Sequence, residues 1–267
     1  MIAFPHIDPI AVHLGGHYGI RWYALAYLTG FLGGWWYGSY LADLDPDRRP
    51  NRLDIDNILP WMVLGVILGG RIGYVLFYNF SYYMQHPIQI PYIWEGGMSF
   101  HGGLLGVVVV AVSYALKNKF HPLALGDILG TVVPIGLFFG RLANFINGEL
   151  YGRITTVPWA MIFPADPAGL PRHPSQLYEA FLEGLVLFTV LFFCARNPNI
   201  RRTTGMLFGI FVTGYSLSRF IIEFFREPDP QVGMLWQYFT MGQLLSVPMI
   251  LAGIILIIYA KQHKSAA

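Results

Sequence analysis

The sequence predicts an all-α integral membrane protein with seven transmembrane helices. Three observations carry that prediction. Of the 267 residues, 55% are hydrophobic. Only 12% are charged, against roughly a quarter in an ordinary soluble domain. And apolar stretches near the roughly 20 residues needed to cross a bilayer recur along the whole chain. These values exclude a disordered chain, a disulfide-stapled secreted module and an ordinary cytosolic enzyme.

Seven stretches qualify as spans, near 19–41, 57–80, 98–116, 124–147, 177–195, 205–225 and 237–260. Together they make residues 1–267 one polytopic membrane domain. The fourth and seventh contain Pro134 and Pro248, which spans tolerate better than soluble helices do. A polar lead with His6, Asp8 and Pro9 precedes the first stretch. It has no basic n-region and cleavage site, so the first span is expected to stay as an anchor.

Lysine and arginine near the span ends set the orientation. Arg48, Arg49, Arg52, Lys117, Lys119, Arg196, Arg201, Arg202, Lys261 and Lys264 fall on one side, and Arg21, Arg153, Arg172 and Arg226 on the other. The first side is expected to be cytoplasmic, with the N-terminus outside and the C-terminus inside. The longest connection, 148–176, then lies outside. It carries the Pro- and Gly-rich run PADPAGLP, and long loops in compact proteins are usually functional or disordered. The aromatic 80–97 loop, with Tyr82, Tyr83, Tyr92 and Trp94, is expected to lie along the membrane surface on the same side.

The net charge of +2 is too small and scattered to point to nucleic acid. The single cysteine, Cys194, excludes an internal disulfide and any CxxC metal or redox site. No HExxH, Walker A, GxSxG or metal-ligand cluster is present, and the chain offers no obvious nucleophile of its own at such a site. An enzyme built this way draws its nucleophile from a substrate, which favours transfer between two substrates.

Arg71, Arg141 and Arg219 fall inside spans, where a charge costs about 2.5–3.5 kcal/mol on insertion scales. One reading is structural: such arginines snorkel or tie helices together. Depth favours a site. Arg141 and Arg219 sit roughly 9 Å inside the outer boundary and Arg71 roughly 13 Å, at 1.5 Å per residue. His101 enters the third span from the same side. Tyr215, Arg219 and Glu223 are spaced i, i+4, i+8, and with Arg226 form a polar stripe in which Glu223 pairs with Arg219. Asn144 shares the face of Arg141, and Gly148 ends the helix, leaving Asn147 and Glu149 in a turn. The guanidinium fork suits phosphate oxygens, so an anionic phospholipid headgroup is the expected ligand; an ion-pair network without ligand is the alternative. His101 is the candidate base. Glu179 and Glu183 follow one another at i, i+4 in the fifth span. His173 is either loop structure or site rim, and Tyr23 is by default an aromatic-belt residue.

The run GRLANFINGE at 140–149, continuing through Gly152 and Arg153, resembles the signature of bacterial prolipoprotein diacylglyceryl transferases. GGRIGYVLFYN (69–79), GGMSFHGGLLG (96–106), RHPSQLYEAFLEG (172–184) and FIIEFFREPD (220–229) extend the resemblance from the first span to the last. The resemblance implies transfer of the diacylglyceryl group of phosphatidylglycerol to the lipobox cysteine of a preprolipoprotein signal peptide, at the outer face of the inner membrane. It releases glycerol 1-phosphate, requires no cofactor, and is the first step of lipoprotein maturation. It also makes Glu149, Gly152 and Arg153 site residues; by sequence alone Gly152 is a turn glycine and Arg153 an interfacial cation. In the mechanism that follows, Arg141 and Arg219 grip the phosphate, Glu223 and Tyr215 orient Arg219, and Asn144 holds the headgroup or Arg141. His101 takes the thiol proton, or the arginine field lowers the thiol pKa without a base. The catalytic set is thus His101, Arg141 and Arg219. Tyr23, Arg71, Asn144, Asn147, Glu149, Gly152, Arg153, His173, Tyr215, Glu223 and Arg226 contact substrates together with the two arginines. Membrane lipids surround the whole. A lipid transporter and a non-catalytic scaffold are the competing classes; product formation separates both from an enzyme.

Overall fold

The computed structural model describes the whole chain except residues 1, 6, 16–17, 229–233, 236–238 and 264–267. His6, Asp229, Lys264 and the first residues of the seventh stretch therefore lie outside the described residues.

A helix stands in each of the seven apolar stretches. They are α1 (Trp22–Asp43), α2 (Arg52–Phe77), α4 (Phe100–Lys117), α5 (Pro122–Ile146), α6 (Ser175–Arg196), α7 (Met206–Ile222) and α8 (Met241–Gln262). A short α3 (Phe80–Gln85) lies between α2 and α4. Five helices, α2, α4, α5, α6 and α8, are long and apolar enough to cross a membrane. α7 is apolar but shorter, and α1 is rich in Trp, Tyr and Gly. The protein is thus helical with five long apolar helices, the make-up of an all-α membrane protein.

Three local features depart from the simple reading. Residues before α1 form an antiparallel pair, β1 (Ile10–Gly15) with β2 (Tyr18–Arg21), because Ile10, Val12 and Leu14 alternate with a period of two. The 80–97 segment is not plain loop: α3 is followed by 3₁₀ turns at Pro87–Gln89 and Ile93–Glu95. And α7 stops at Ile222 rather than 225. The Phe225 carbonyl there accepts the Arg153 amide at 2.8 Å, and Arg226 bridges Gly152, so the backbone is engaged across the chain instead of along the helix.

The chain forms two compact units, 39–126 and the remainder. In the unit spanning 39–126, α2 begins with a full capping box between Asn51 and Asp54. Arg49 clasps the same Asp54 through two 2.5 Å bonds, and the Tyr114 hydroxyl from α4 adds a third contact at 3.2 Å. α2 and α4 meet backbone to backbone along a seam of glycines, Gly65, Gly69 and Gly73 against Gly102 and Gly106. A Cβ on Gly73 would lie 2.7 Å from the Gly102 Cα, and one on Gly69 2.9 Å from the Gly106 Cα. This close approach is the small-residue packing of membrane helices.

In the other unit, Asp127 on α5 caps α7 from a distance. Its carboxylate accepts the amides of Gly205 at 2.7 Å and Phe208 at 2.9 Å, satisfying two of the orphan donors at a helix start. Two short antiparallel pairs accompany the helices: β3 (Met161–Ile162) with β4 (Pro171–Arg172), and β5 (Met234–Leu235) with β6 (Phe239–Thr240). The 148–176 connection is ordered around a hydrophobic core of Phe145, Met161 and Phe163, against which Phe4, Tyr151 and Leu177 pack. Inside α6 the segment Ala180–Val186 is a π-helix, a geometry that often marks functional sites.

Candidate functional site

α5, α6 and α7 bring three guanidinium groups onto one buried carboxylate. Glu179, with no exposed surface, pairs with Arg219 (Nη1 to Oε1, 2.6 Å), Arg141 (Nε to Oε2, 3.3 Å) and Arg226 (Nη1 to Oε1, 3.6 Å). Arg219 reaches Glu223 one turn later through Nη2 at 2.5 Å, the i, i+4 pair expected from the stripe. Arg141 also approaches Glu183 at 3.6 Å. Among the described residues it makes ion pairs but no side-chain hydrogen bond. Arg141 and Arg219 keep 18% and 17% of their side-chain surface exposed while the carboxylates between them keep none. An anion approaching from outside would meet guanidinium, not carboxylate.

Around this hub the post-α5 turn is tightly made. Gly148 and Leu150 both take positive φ, at 68° and 58°. The amides of Asn144 and Asn147 both donate to Glu149 Oε1, at 2.8 and 3.2 Å, and Gln176 Nε2 donates to the Glu149 carbonyl at 2.6 Å. Asn144 thus holds Glu149 rather than Arg141. Gly152 donates its amide to the His173 carbonyl at 2.8 Å, and a Cβ there would stand 2.8 Å from the His173 Cβ; only glycine fits. Arg153 ties this turn to the end of α7 through the carbonyls of Arg226 (2.9 Å) and Glu223 (3.3 Å). His173 Nδ1 lies 3.1 Å from the Tyr178 hydroxyl, which also accepts from Trp159 at 2.7 Å. Burial holds the His173 imidazole below its ordinary value. Tyr215 on α7 stacks on Phe211 and faces Glu183 and Arg219. Tyr23, near the start of α1, packs against Tyr27.

Arg172 grips Asp166 with two bonds of 2.6 and 3.1 Å, lies over the Tyr151 ring and reaches Glu227 at 3.1 Å. The guanidinium holds the Asp166 carboxyl below the usual carboxylate range.

The other unit holds Arg71 and His101. Arg71 is buried and spends its fork on main-chain carbonyls: Ile90 at 2.6 Å, Gln89 at 2.9 Å, Gly96 at 2.6 Å and Gly97 at 3.2 Å, with Tyr83 beneath it. It organises the 87–97 segment. His101 is exposed at the second position of α4, after the Ser99 cap, with its ring against Phe100.

Sequence reasoning placed Arg141, Arg219, Glu223 and Arg226 where they meet, but left out Glu179 and Glu183 as site residues. The signal was present: two acids at i, i+4 in an apolar span need partners as much as the arginines do. Among the described residues no three His, Cys, Asp or Glu side chains gather as a metal set.

Residues 9–259 match the protein family described as prolipoprotein diacylglyceryl transferase. The chain is 57% identical over 266 residues to the phosphatidylglycerol–prolipoprotein diacylglyceryl transferase of Azospirillum brasilense, covering 99% of this chain and 98% of that one. It is 52% identical over 267 residues to the protein of that name from Rhodospirillum rubrum, covering 100% and 97%. With the one from Idiomarina loihiensis it shares 50% over 260 residues, covering 97% and 96%.

Proposed function

We propose that this chain, which belongs to the prolipoprotein diacylglyceryl transferase family and is a transferase, carries the diacylglyceryl group of phosphatidylglycerol to the lipobox cysteine of a preprolipoprotein. The observation that carries the mechanism is the convergence of Arg141, Arg219 and Arg226 on the buried Glu179. Glu179 and Glu223 hold Arg219 in place, while Arg141 keeps 18% of its side-chain surface exposed. Together the two arginines take the phosphate of the lipid. The substrate thiolate attacks the glyceryl carbon next to the phosphate; a C–S bond forms, the C–O bond breaks, and glycerol 1-phosphate leaves with the electron pair. The arginines neutralise charge that grows on the leaving phosphate, an effect worth several kcal/mol in a dry site.

His101 is the proposed acceptor of the thiol proton, on the strength of the matching SFHGGLLG motif. Asn144, Asn147 and Glu149 form the proposed headgroup rim, Gly152, Arg153 and His173 brace it, and Tyr215 and Tyr23 line the lipid. Arg71 shapes the 87–97 segment that would meet substrate. The wider reading is a single polytopic domain of seven spans in the bacterial inner membrane. The N-terminus is outside, the C-terminus cytoplasmic and the site in the periplasmic leaflet. The excess of Lys and Arg on one side supports that orientation.

Purified protein is incubated with phosphatidylglycerol and a lipobox peptide carrying one cysteine, and the peptide is weighed by mass spectrometry. A gain of one diacylglyceryl unit is expected, absent with a Cys→Ser peptide. Binding of phosphatidylglycerol without any mass gain would move the reading to a lipid-moving protein.

A further inference from the structure

We infer that Ser175 and Gln176, at the start of α6, are positioning residues for the transfer: they hold the turn that carries Glu149 and so set where the headgroup rim stands. The inference rests on the transferase reading above and adds two residues that act through Glu149.

α5 ends in a Schellman cap. The Glu149 amide returns to the Asn144 carbonyl at 3.1 Å and the Gly148 amide to the Phe145 carbonyl at 2.9 Å. Gly148 takes the left-handed φ of 68° that such a cap needs. Leu150 then takes a second left-handed φ, at 58°. The cap does not require that one, and a residue with a Cβ disfavours it by about tenfold. Burial of the leucine does not compensate, because Leu150 is 41% exposed.

The compensation comes from α6. Gln176 Nε2 donates to the Glu149 carbonyl at 2.6 Å, and Ser175 Oγ donates to the Leu150 carbonyl at 3.0 Å. Neither side chain has exposed surface. The φ of Leu150 is the torsion between those two carbonyl carbons, so donors on both fix it directly. Further on, the Gly152 amide donates to the His173 carbonyl at 2.8 Å and the His173 amide to the Arg153 carbonyl at 3.0 Å. Residues 149–153 are thus bonded to residues 173–176 at four points.

With its carbonyl pinned, Glu149 keeps its carboxylate where Asn144 and Asn147 both reach Oε1, at 2.8 and 3.2 Å. Gln176 lies three residues before Glu179 and shares its face of α6. One helix face therefore fixes the arginines through Glu179 and the rim through Gln176, in one register. A slack turn would leave the arginines in place and displace the rim. Such a change weakens lipid binding and spares the chemical step.

The test measures KM for phosphatidylglycerol and kcat, with a saturating lipobox peptide, for wild type, Ser175→Ala, Gln176→Met and each of these combined with Leu150→Gly. Either single variant is expected to raise KM by about tenfold while kcat stays within about threefold. Leu150→Gly alone is expected to keep wild-type constants. Added to either variant, it is expected to bring KM back to within about threefold of wild type, because glycine takes the left-handed φ without being held. A purely structural role would instead lower kcat per total protein, through loss of folded enzyme, and leave KM where it was. If wild type forms product and neither single variant moves KM, or the rise is not relieved by Leu150→Gly, the inference is overturned and the transferase reading stands. If wild type forms no product, both fall. Should Ser175→Ala and Gln176→Met both fail to fold, Leu150→Val decides, at an exposed position. A β-branched residue strains the left-handed turn further; a raised KM supports the inference and a wild-type KM overturns it.

Discussion

Arg219 Nη1 donates a 2.6 Å hydrogen bond to Glu179 Oε1 across 40 residues of sequence and from one helix to another. That bond fixes where α6 and α7 place the centre of the site. Glu179 binds two further arginines, so it is the common anchor of the cluster.

Replacing that anchor is expected to be the most damaging single change. Glu179→Ala leaves three guanidinium groups buried against each other, and removing one partner of a buried pair costs about 3–5 kcal/mol. A lowered unfolding temperature and a turnover reduced at least about a hundredfold are expected. Wild-type turnover in Glu179→Ala would remove the carboxylate from the site.

Arg141 should behave differently, because among the described residues its side chain makes ion pairs but no hydrogen bond. Arg141→Ala is expected to lose nearly all turnover, with a smaller fall in unfolding temperature than Glu179→Ala, because Glu179 keeps its other two arginines. Arg141→Lys should recover little, since a point charge lacks the planar fork. Equal turnover in Lys and Arg proteins would show that charge alone suffices.

His101→Gln addresses the thiol proton. Turnover is expected to fall at neutral pH and to recover partly as pH rises toward the free thiol value of about 8.5. Recovery tracks the fraction of peptide already present as thiolate. A loss that stays constant with pH would assign His101 to binding instead.

Packing of the unit spanning 39–126 depends on the glycine seam. Gly73→Leu must push α2 and α4 apart, since even a Cβ would stand 2.7 Å from the Gly102 Cα; overpacking costs typically about 1–3 kcal/mol or more. Gly103→Ala, whose Cβ would have the Val66 carbonyl at an ordinary 3.5 Å, should be tolerated. Thermal unfolding of the two variants side by side reads the difference.

Asp166 gives a pH dependence whose sign can be worked out. Arg172 holds its carboxyl below the usual value, so the pair contributes stability above the ordinary carboxylate pKa of about 3.9. That contribution is lost as pH falls through the lower folded value. Asp166→Asn should lower the unfolding temperature at neutral pH and narrow the gap to wild type in acid. A gap independent of pH would mean the carboxylate charge does not matter there.

The amino-acid sequence by itself determined the helical stretches, because hydropathy and length are local properties and the bilayer fixes both. It also placed Arg141 and Arg219 at one depth, and Glu223 and Arg226 on the face of Arg219, because a periodicity of 3.6 is readable along a single helix. What it could not determine was who pairs with whom. Glu179 as the shared anchor depends on how α5, α6 and α7 pack. So does the commitment of Arg71 to the carbonyls of residues 89–97, which requires that segment to fold back over α2. Ion pairing between helices is a property of distance in space, and only tertiary structure supplies that distance.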